Sequence, residues 1–189
     1  MRLKDWLKIL EDFKTRRIKV IHISALQVAT GLKKRSLTVV LNRLEKTGLI
    51  RRVAKGWICI QPCEIWEIIK TVFPSAYISL EWALHHHEIL DQEIKIITMV
   101  WLGKTKTVKT KYYTFELHKI KPQLYFGYNS RLIADPEKAL LDTIYIRKKL
   151  PAEINIELLN LQKLEKYAQK YPKKIREKLK SLKIYTIPE

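Results

Sequence analysis

The chain has 189 residues, and its 37 lysine and arginine residues exceed its 19 aspartate and glutamate residues, which gives a formal net charge of +18. The positive charges of such a chain repel one another unless a bound polyanion neutralises them. We therefore expect nucleic acid or another acidic partner. No apolar run approaches the roughly 20 residues that a membrane-spanning helix needs, and the charged N-terminus differs from a signal peptide. We therefore expect a cytoplasmic protein with no membrane partner.

The first elements in chain order are an amphipathic helix and a short strand. Residues 4–14 place their apolar side chains on one helical face, and residues 18–23 are typical of a short strand that pairs with a later hairpin. Ser24 is followed by Gln27 at the spacing of a capping box, which predicts that Ser24 caps the next helix.

A second helix follows after a turn at Gly31, over residues 34–47, and Gly48 provides the expected stop. Its apolar side chains recur at helical spacing and predict a buried stripe: Leu37, Val40, Leu41 and Leu44. Residues 49–60 are typical of a basic hairpin. Two helices joined by a glycine turn and followed by a hairpin predict a winged helix-turn-helix domain over residues 1–61, which would bind double-stranded DNA.

The outward face of the second helix is chemically suited to a DNA duplex. Residues near its start are predicted to reach base edges: Lys34, Arg35, Thr38, Val39 and Asn42. Cations farther along the helix and in the hairpin are predicted to contact phosphates: Arg43, Lys46, Arg51, Arg52 and Lys55. The alternative is an ordinary solvated basic face. We favour DNA because Glu45 is the only acidic residue between Lys33 and Lys55.

The cysteine pattern predicts neither a metal site nor a disulfide. Cys59 and Cys63 are the only cysteines, and two cysteines without further spaced ligands are a poor zinc signal. Because a reducing cytosol disfavours a structural disulfide, we interpret Cys59 as a small apolar strand residue.

The next segment predicts a linker and the start of a second domain. Residues 62–75 are typical of a short connecting helix and a turn, after which Ser79 is expected to cap a helix over residues 80–87. Residues 94–102 and 111–118 have strand composition, with a loop between them.

The remainder predicts further α+β structure. Residues 125–134 suggest a hairpin, and Pro136 opens a helix whose residues are apolar nearly all round, which indicates burial. Residues 156–182 predict polar helices broken at Pro172. Residues 76–189 are therefore predicted to form a mixed α+β domain with a Lys-rich helical tail. The tail lysines, which continue to Lys183, suit either a solvated surface or a second contact with nucleic acid or an acidic partner.

Two segments of the second half resemble the AbiEi antitoxin family. They are Tyr-Ile-Ser-Leu-Glu-Trp-Ala-Leu-His-His-His at residues 77–87 and Ile-Ala-Asp-Pro-Glu-Lys-Ala-Leu-Leu-Asp at residues 133–142. The resemblance covers residues 4–147, and the family pattern tends to have glycine where this chain has Glu88. The resemblance implies an N-terminal winged helix joined to an α+β antitoxin domain. It also implies a transcriptional autorepressor that counters a nucleotidyltransferase-like toxin in a type IV toxin–antitoxin system.

The polar clusters of the second half have structural interpretations. The adjacent histidines 85–87 project about 100° apart on a helix, so they are not expected to bind one metal ion together. Asp135 and Glu137 are expected to stabilise a helix N-terminus, and Lys138 and Asp142 to pair along the helix surface. No catalytic arrangement or phosphate-binding loop is apparent, so we expect no catalytic residues, metal or cofactor.

These observations favour a sequence-specific DNA-binding regulator of the antitoxin type, bound as two copies to an operator of inverted half-sites, with a nucleotidyltransferase-like toxin as a further partner. A stand-alone regulator without a toxin has the same sequence features. An RNA-associated basic protein and an enzyme acting on nucleic acid are the other hypotheses, and binding and turnover assays separate them.

Overall fold

A computed structural model of the protein describes residues 3–149 and 154–180. The chain divides into two compact units. The N-terminal unit comprises the described residues up to Pro74 together with Lys109–Tyr113, and the C-terminal unit comprises the other described residues. Lys183 and the rest of the predicted tail beyond Lys180 lie outside the described residues.

The N-terminal unit confirms the predicted order of its elements. These are α1 (Leu3–Thr15), β1 (Val20–His22), α2 (Ile23–Thr30), α3 (Lys34–Lys46), β2 (Ile50–Ala54), β3 (Trp57–Ile60) and α4 (Ile65–Val72). The strands form an antiparallel sheet in the order β1-β3-β2, with Val20 opposite Cys59 and Ile50 opposite Ile60. The predicted pairing of the first strand with the hairpin is therefore confirmed.

The position of α3 follows from its apolar stripe. Leu37, Leu41 and Leu44 are at most 1% exposed and pack in one core with α1, α2 and the sheet, while Val40 packs at its edge. Gly31, with φ +65°, turns the chain between α2 and α3 in a conformation that favours glycine. The predicted buried stripe is confirmed.

The start of α2 corrects the predicted cap at Ser24. The helix begins at Ile23, and His22 occupies the cap position, where its Nδ1 accepts the backbone N–H of Ser24 at 3.4 Å. The Nδ1 of His22 also lies 2.7 Å from Oγ of Ser24. In the predicted capping box the hydroxyl of Ser24 would accept the N–H of Gln27, and the side chain of Gln27 would accept the N–H of Ser24. The imidazole of His22 accepts the N–H of Ser24 instead, so the capping-box assignment was wrong.

The cysteines correct a second expectation. Cys59 and Cys63 form a disulfide, with a Cα–Cα distance of 6.3 Å that lies within the usual range. Cys59 is fully buried in β3 as expected, but its interpretation as a free apolar residue was wrong. We expected no disulfide because we assumed a reducing cytosol. In the structure, the backbone between β3 and α4 brings the two cysteine side chains together.

The C-terminal unit combines helices with a mixed sheet, so the chain as a whole is α+β. Its elements are β4 (Ala76–Ile78), α5 (Leu80–His86), β5 (Ile97–Trp101), β6 (Lys106–Lys109), β7 (Thr114–Lys119), α6 (Pro136–Arg147), α7 (Leu161–Ala168) and α8 (Lys173–Lys180), with 3₁₀ turns at Pro122–Leu124 and Ile156–Leu158. The strand order is β4-β5-β7-β6, with β5 antiparallel to β4 and parallel to β7. The predicted break at Pro172 separates α7 from α8.

Two local predictions in this unit are corrected by the structure. Residues 125–134 fold back on themselves as predicted, but their antiparallel pairing is limited to a bridge between Tyr128 and Ala134 and does not extend into two strands. Aromatic side chains there pack against each other, with the rings of Tyr125 and Tyr128 centred 5.3 Å apart. Strand β6 was not predicted, because its exposed Lys-Thr-Val-Lys sequence lacks the apolar alternation of a half-buried strand.

Helix α6 is buried as predicted, but its polar residues are buried as well. Lys138 and Asp142 form the predicted pair one helical turn apart, yet both side chains are fully buried, so the predicted surface location was wrong. The carboxylate of Asp135 makes no cap hydrogen bond and instead accepts the hydroxyl of Tyr167 at 2.9 Å. Helix α6 therefore holds the unit together through polar contacts as well as apolar ones.

Helix α5 is followed by a left-handed residue at Glu88. This residue has φ +60°, a conformation that favours glycine and is strained for other residues. Within residues 3–149 and 154–180, none of the helices combines the length and the apolar character needed to cross a bilayer.

Candidate nucleic-acid interface

The residues predicted to reach base edges all lie on the solvent side of α3. Their side chains are exposed, and they comprise Lys34, Arg35, Thr38, Val39 and Asn42. Val39 is 58% exposed, so its methyl groups are accessible on the exposed side of α3. A methyl-bearing residue between polar ones matches what a major-groove helix presents to thymine methyl groups.

The cations predicted to contact phosphates surround this face. Arg43, Lys46, Arg51 and Lys55 are exposed, whereas Arg52 is only half-exposed. Lys55 sits at the tip of the β2–β3 hairpin, beside a glycine with φ +78° that makes the tight turn possible. The helix and the hairpin of the N-terminal unit therefore present their cations to solvent.

Arg52 is held by neighbours on α3. Its guanidinium makes a close ion pair with Glu45, whose side chain is 13% exposed, and its Nη2 donates to Oδ1 of Asn42 at 2.7 Å. The backbone N–H of Arg52 also lies 3.4 Å from Glu45 Oε1. This network fixes β2 against α3 and uses one of the two lone pairs of the oxygen with which Asn42 would accept from adenine N6. Arg52 leaves the other lone pair and the amide N–H groups of Asn42 unused.

The start of α3 has a positive potential, because basic side chains lie there and because the free N–H groups of a helix N-terminus carry partial positive charge. Lys33 occupies the N-cap position without a side-chain cap hydrogen bond, and the first turn contains no acidic residue. The hydroxyl of Thr38 donates to the backbone oxygen of Lys34 at 2.9 Å, which leaves its methyl group to face outward. The unsatisfied N–H groups of a helix start, beside Lys34 and Arg35, favour an anion.

One neighbour of the β2–β3 hairpin was not found from the sequence. The segment Lys109–Tyr113 belongs to the N-terminal unit although it is distant in sequence. Nη1 of Arg51 lies 3.4 Å from the hydroxyl of Tyr113, and the guanidinium carbon lies 5.4 Å from the ring centre of Tyr112. Residues 111–113 were predicted as the start of a strand, but β7 begins only at Thr114. Composition alone offers no signal for a contact between residues 62 positions apart.

The histidine cluster is engaged by packing. Nε2 of His87 lies 2.8 Å from the backbone oxygen of Ala134, and Nδ1 of His85 lies 3.3 Å from that of Leu90. The ring of His86 stacks on Trp82 at 5.4 Å, and burial lowers the pKa of His86 from its usual value. In the described ranges, no three histidine, cysteine or acidic side chains are grouped as metal ligands would be.

A second polar cluster is buried in the C-terminal unit around Asp142. Its Oδ2 accepts the hydroxyls of Ser79 at 2.7 Å and Tyr77 at 3.0 Å, and its Oδ1 accepts that of Tyr171 at 2.6 Å and contacts the Lys138 ammonium. Burial, and then Asp142, raise the pKa of both Tyr77 and Tyr171. Because all of these groups are buried and mutually bonded, the cluster has the character of a structural network.

No family model matches the chain, and no curated protein matches it significantly.

Proposed function

We propose that the N-terminal unit is a winged helix-turn-helix that binds duplex DNA, with α3 in the major groove and the β2–β3 hairpin as the wing. The observation that carries the proposal is the division of α3 into two faces. Its leucines are buried, while its basic, amide and methyl-bearing side chains project together into solvent. A helix positioned in this way fits the width of the B-form major groove.

Each face of the interface has a separate role. Lys34 and Arg35 can donate to guanine O6 and N7, and Val39 can contact a thymine methyl group, so these residues carry base preference. Arg43, Lys46 and Lys55 act on phosphates and therefore carry affinity without sequence information. Asn42 can contact adenine through its amide N–H groups and the second lone pair of its oxygen, and the whole oxygen becomes available when Arg52 moves to a phosphate. Two copies on inverted half-sites supply the affinity that one small module lacks.

The proposed role in the cell is that of a transcriptional regulator. The resemblance of residues 77–87 and 133–142 to the AbiEi antitoxin family supports autorepression and neutralisation of a nucleotidyltransferase-like toxin by the C-terminal unit. A stand-alone regulator with no toxin partner fits the same geometry. The proposal assigns no catalytic step to the chain, because the polar groups of the Asp142 cluster bind one another.

The second candidate function is binding to structured RNA, and the net charge of +18 is the observation that favours it. A competition experiment separates the two functions. Labelled duplex DNA selected from a random library is displaced by unlabelled DNA or by double-stranded RNA of the same sequence. We expect RNA to compete at least about 100-fold more weakly, because the deep, narrow A-form major groove does not admit α3. Equal competition by RNA would favour the second function.

A further inference from the structure

We propose that the segment Lys109–Tyr113, here called the basic loop, is a second phosphate-contacting element beside the wing. Lys109 and Lys111 contact the sugar–phosphate backbone, and Tyr112 and Tyr113 position the guanidinium of Arg51 for the same purpose. This inference rests on the proposed binding of duplex DNA and extends its footprint.

The basic loop is a compact turn. Oγ1 of Thr110 accepts the backbone N–H groups of Tyr112 at 3.3 Å and Tyr113 at 3.0 Å, and it donates to the backbone oxygen of Tyr113 at 3.1 Å. The backbone N–H of Thr110 donates to the same oxygen at 2.8 Å. A turn closed by four such bonds presents its side chains in fixed directions, so little conformational entropy is lost when they bind.

Two tyrosine side chains hold Arg51 beside this turn. The guanidinium of Arg51 and the ammonium of Lys111 lie 5.4 Å and 5.2 Å from the ring centre of Tyr112, both within cation–π range. The hydroxyl of Tyr113 lies 3.4 Å from Nη1 of Arg51. An arginine on an exposed strand ordinarily samples many rotamers. Contact with two aromatic side chains restricts this one before any ligand arrives.

Arg51 and the charged residues of the basic loop are all positive. Arg51, Lys109 and Lys111 are exposed, and residues 104–113 contain no aspartate or glutamate. The neighbouring Arg52, by contrast, pairs with the carboxylate of Glu45. Three exposed cations, two of them beside the ring of Tyr112, form a surface that suits a phosphate backbone, because each cation can replace a condensed counterion. Tyr112 supplies orientation and no charge.

The test is the salt dependence of duplex binding by the full chain. Each lost phosphate contact makes the slope of log affinity against log salt shallower by about 0.9. We expect the double variant Lys109→Ala/Lys111→Ala to make it shallower by about 1.8 with an unchanged base preference. The matched control is Lys95→Ala, which removes a lysine that is 82% exposed in the C-terminal unit and is expected to leave the slope as in the wild type.

A double-mutant cycle tests the positioning role of Tyr112. Tyr112→Leu removes the ring but no charge, and we expect it to weaken binding when Arg51 is present and to have little effect in an Arg51→Ala background. Tyr112→Phe keeps the ring and should bind as the wild type does. Unfolding curves that match the wild type confirm that each variant is folded.

Two outcomes would overturn the inference in distinguishable ways. If the wild type binds duplex DNA and the double lysine variant keeps the full slope, or if the effects of Tyr112→Leu and Arg51→Ala are additive, the basic loop is not part of the interface. If the wild type does not bind duplex DNA at all, the proposed function fails together with its extension.

Discussion

Asp142→Leu is expected to lower the free energy of unfolding by about 3–5 kcal/mol, the largest loss predicted for any single replacement in this chain. The carboxylate is fully buried and accepts hydrogen bonds from three hydroxyl groups as well as contacting the ammonium of Lys138. Without it, the ammonium keeps Tyr171 as its hydrogen-bond partner, at 2.6 Å, with the surrounding ring faces. It must stay charged in an apolar site or release its proton, and both outcomes cost free energy.

The opposite replacement should be milder. Lys138→Met leaves Asp142 with its three hydroxyl donors, so we expect a loss of about 1–3 kcal/mol. The double variant Lys138→Met/Asp142→Leu should lose less than the two single variants combined, because it leaves no buried charge without a partner. Burial lowers the pKa of Lys138, and Asp142 acts in the opposite direction, so removal of the carboxylate leaves the effect of burial unopposed by Asp142.

Urea unfolding of the variants measures these differences. The matched control is Lys173→Met in α8, which breaks a pair with Glu177 that also spans one helical turn but is 83% and 59% exposed. A solvent-exposed pair contributes little, so this variant should unfold as the wild type does. Equal losses for Asp142→Leu and Lys173→Met would contradict a structural role for the buried pair.

The second large effect is the dependence of the affinity for duplex DNA on salt concentration. Five cations on α3 and the hairpin and two lysines of the basic loop give seven proposed phosphate contacts per copy. At about 0.9 per contact, the slope of log affinity against log salt is about −6.3 for one bound copy. Between 50 and 200 mM salt, the affinity for duplex DNA should therefore fall by nearly four orders of magnitude, on the order of 10⁴.

The ion pair between Arg52 and Glu45 changes this value in a measurable way. If Arg52 keeps its partner in the complex, six contacts are left and the slope is about −5.4. In that case Glu45→Gln, which removes the competing charge, is expected to steepen the slope by about 0.9 and to raise affinity at low salt; if Arg52 already contacts a phosphate in the wild type, the slope stays at about −6.3. A titration of selected duplex at several salt concentrations gives both values. A wild-type slope shallower than about −2 would show that few of these cations contact phosphates.

Local patterns in the sequence were sufficient to predict the elements of the N-terminal unit. The leucine spacing of α3 predicts its buried face, because helical periodicity decides which residues reach the core. Gly31 and Gly48 mark the ends of helices because both require a positive φ. The exposed position of Arg35 and its neighbours follows from the same periodicity. These properties depend on residues within one or two turns of each other.

Sequence patterns did not predict contacts between residues that only the folded chain brings together. They also did not predict which polar group each charged side chain binds. Arg52 looks like any basic hairpin residue until folding brings Glu45 and Asn42 beside it. From its position in the sequence, Lys138 was interpreted as a surface lysine. Nothing in that position indicates that folding brings the hydroxyl of Tyr171 to 2.6 Å from its Nζ. Tertiary packing decides these cases, since a charged group is buried only where distant residues supply its partners.

The most direct test of the central claim compares Arg35→Ala with Lys46→Ala on a library of duplex sequences. Both residues are exposed cations of α3, but only Arg35 is proposed to contact bases. We expect Arg35→Ala to lose about 1–3 kcal/mol on preferred sites and to broaden the base preference, whereas Lys46→Ala should weaken binding to all sequences alike. Equal loss on every sequence for both variants would contradict base contact by α3 in the major groove.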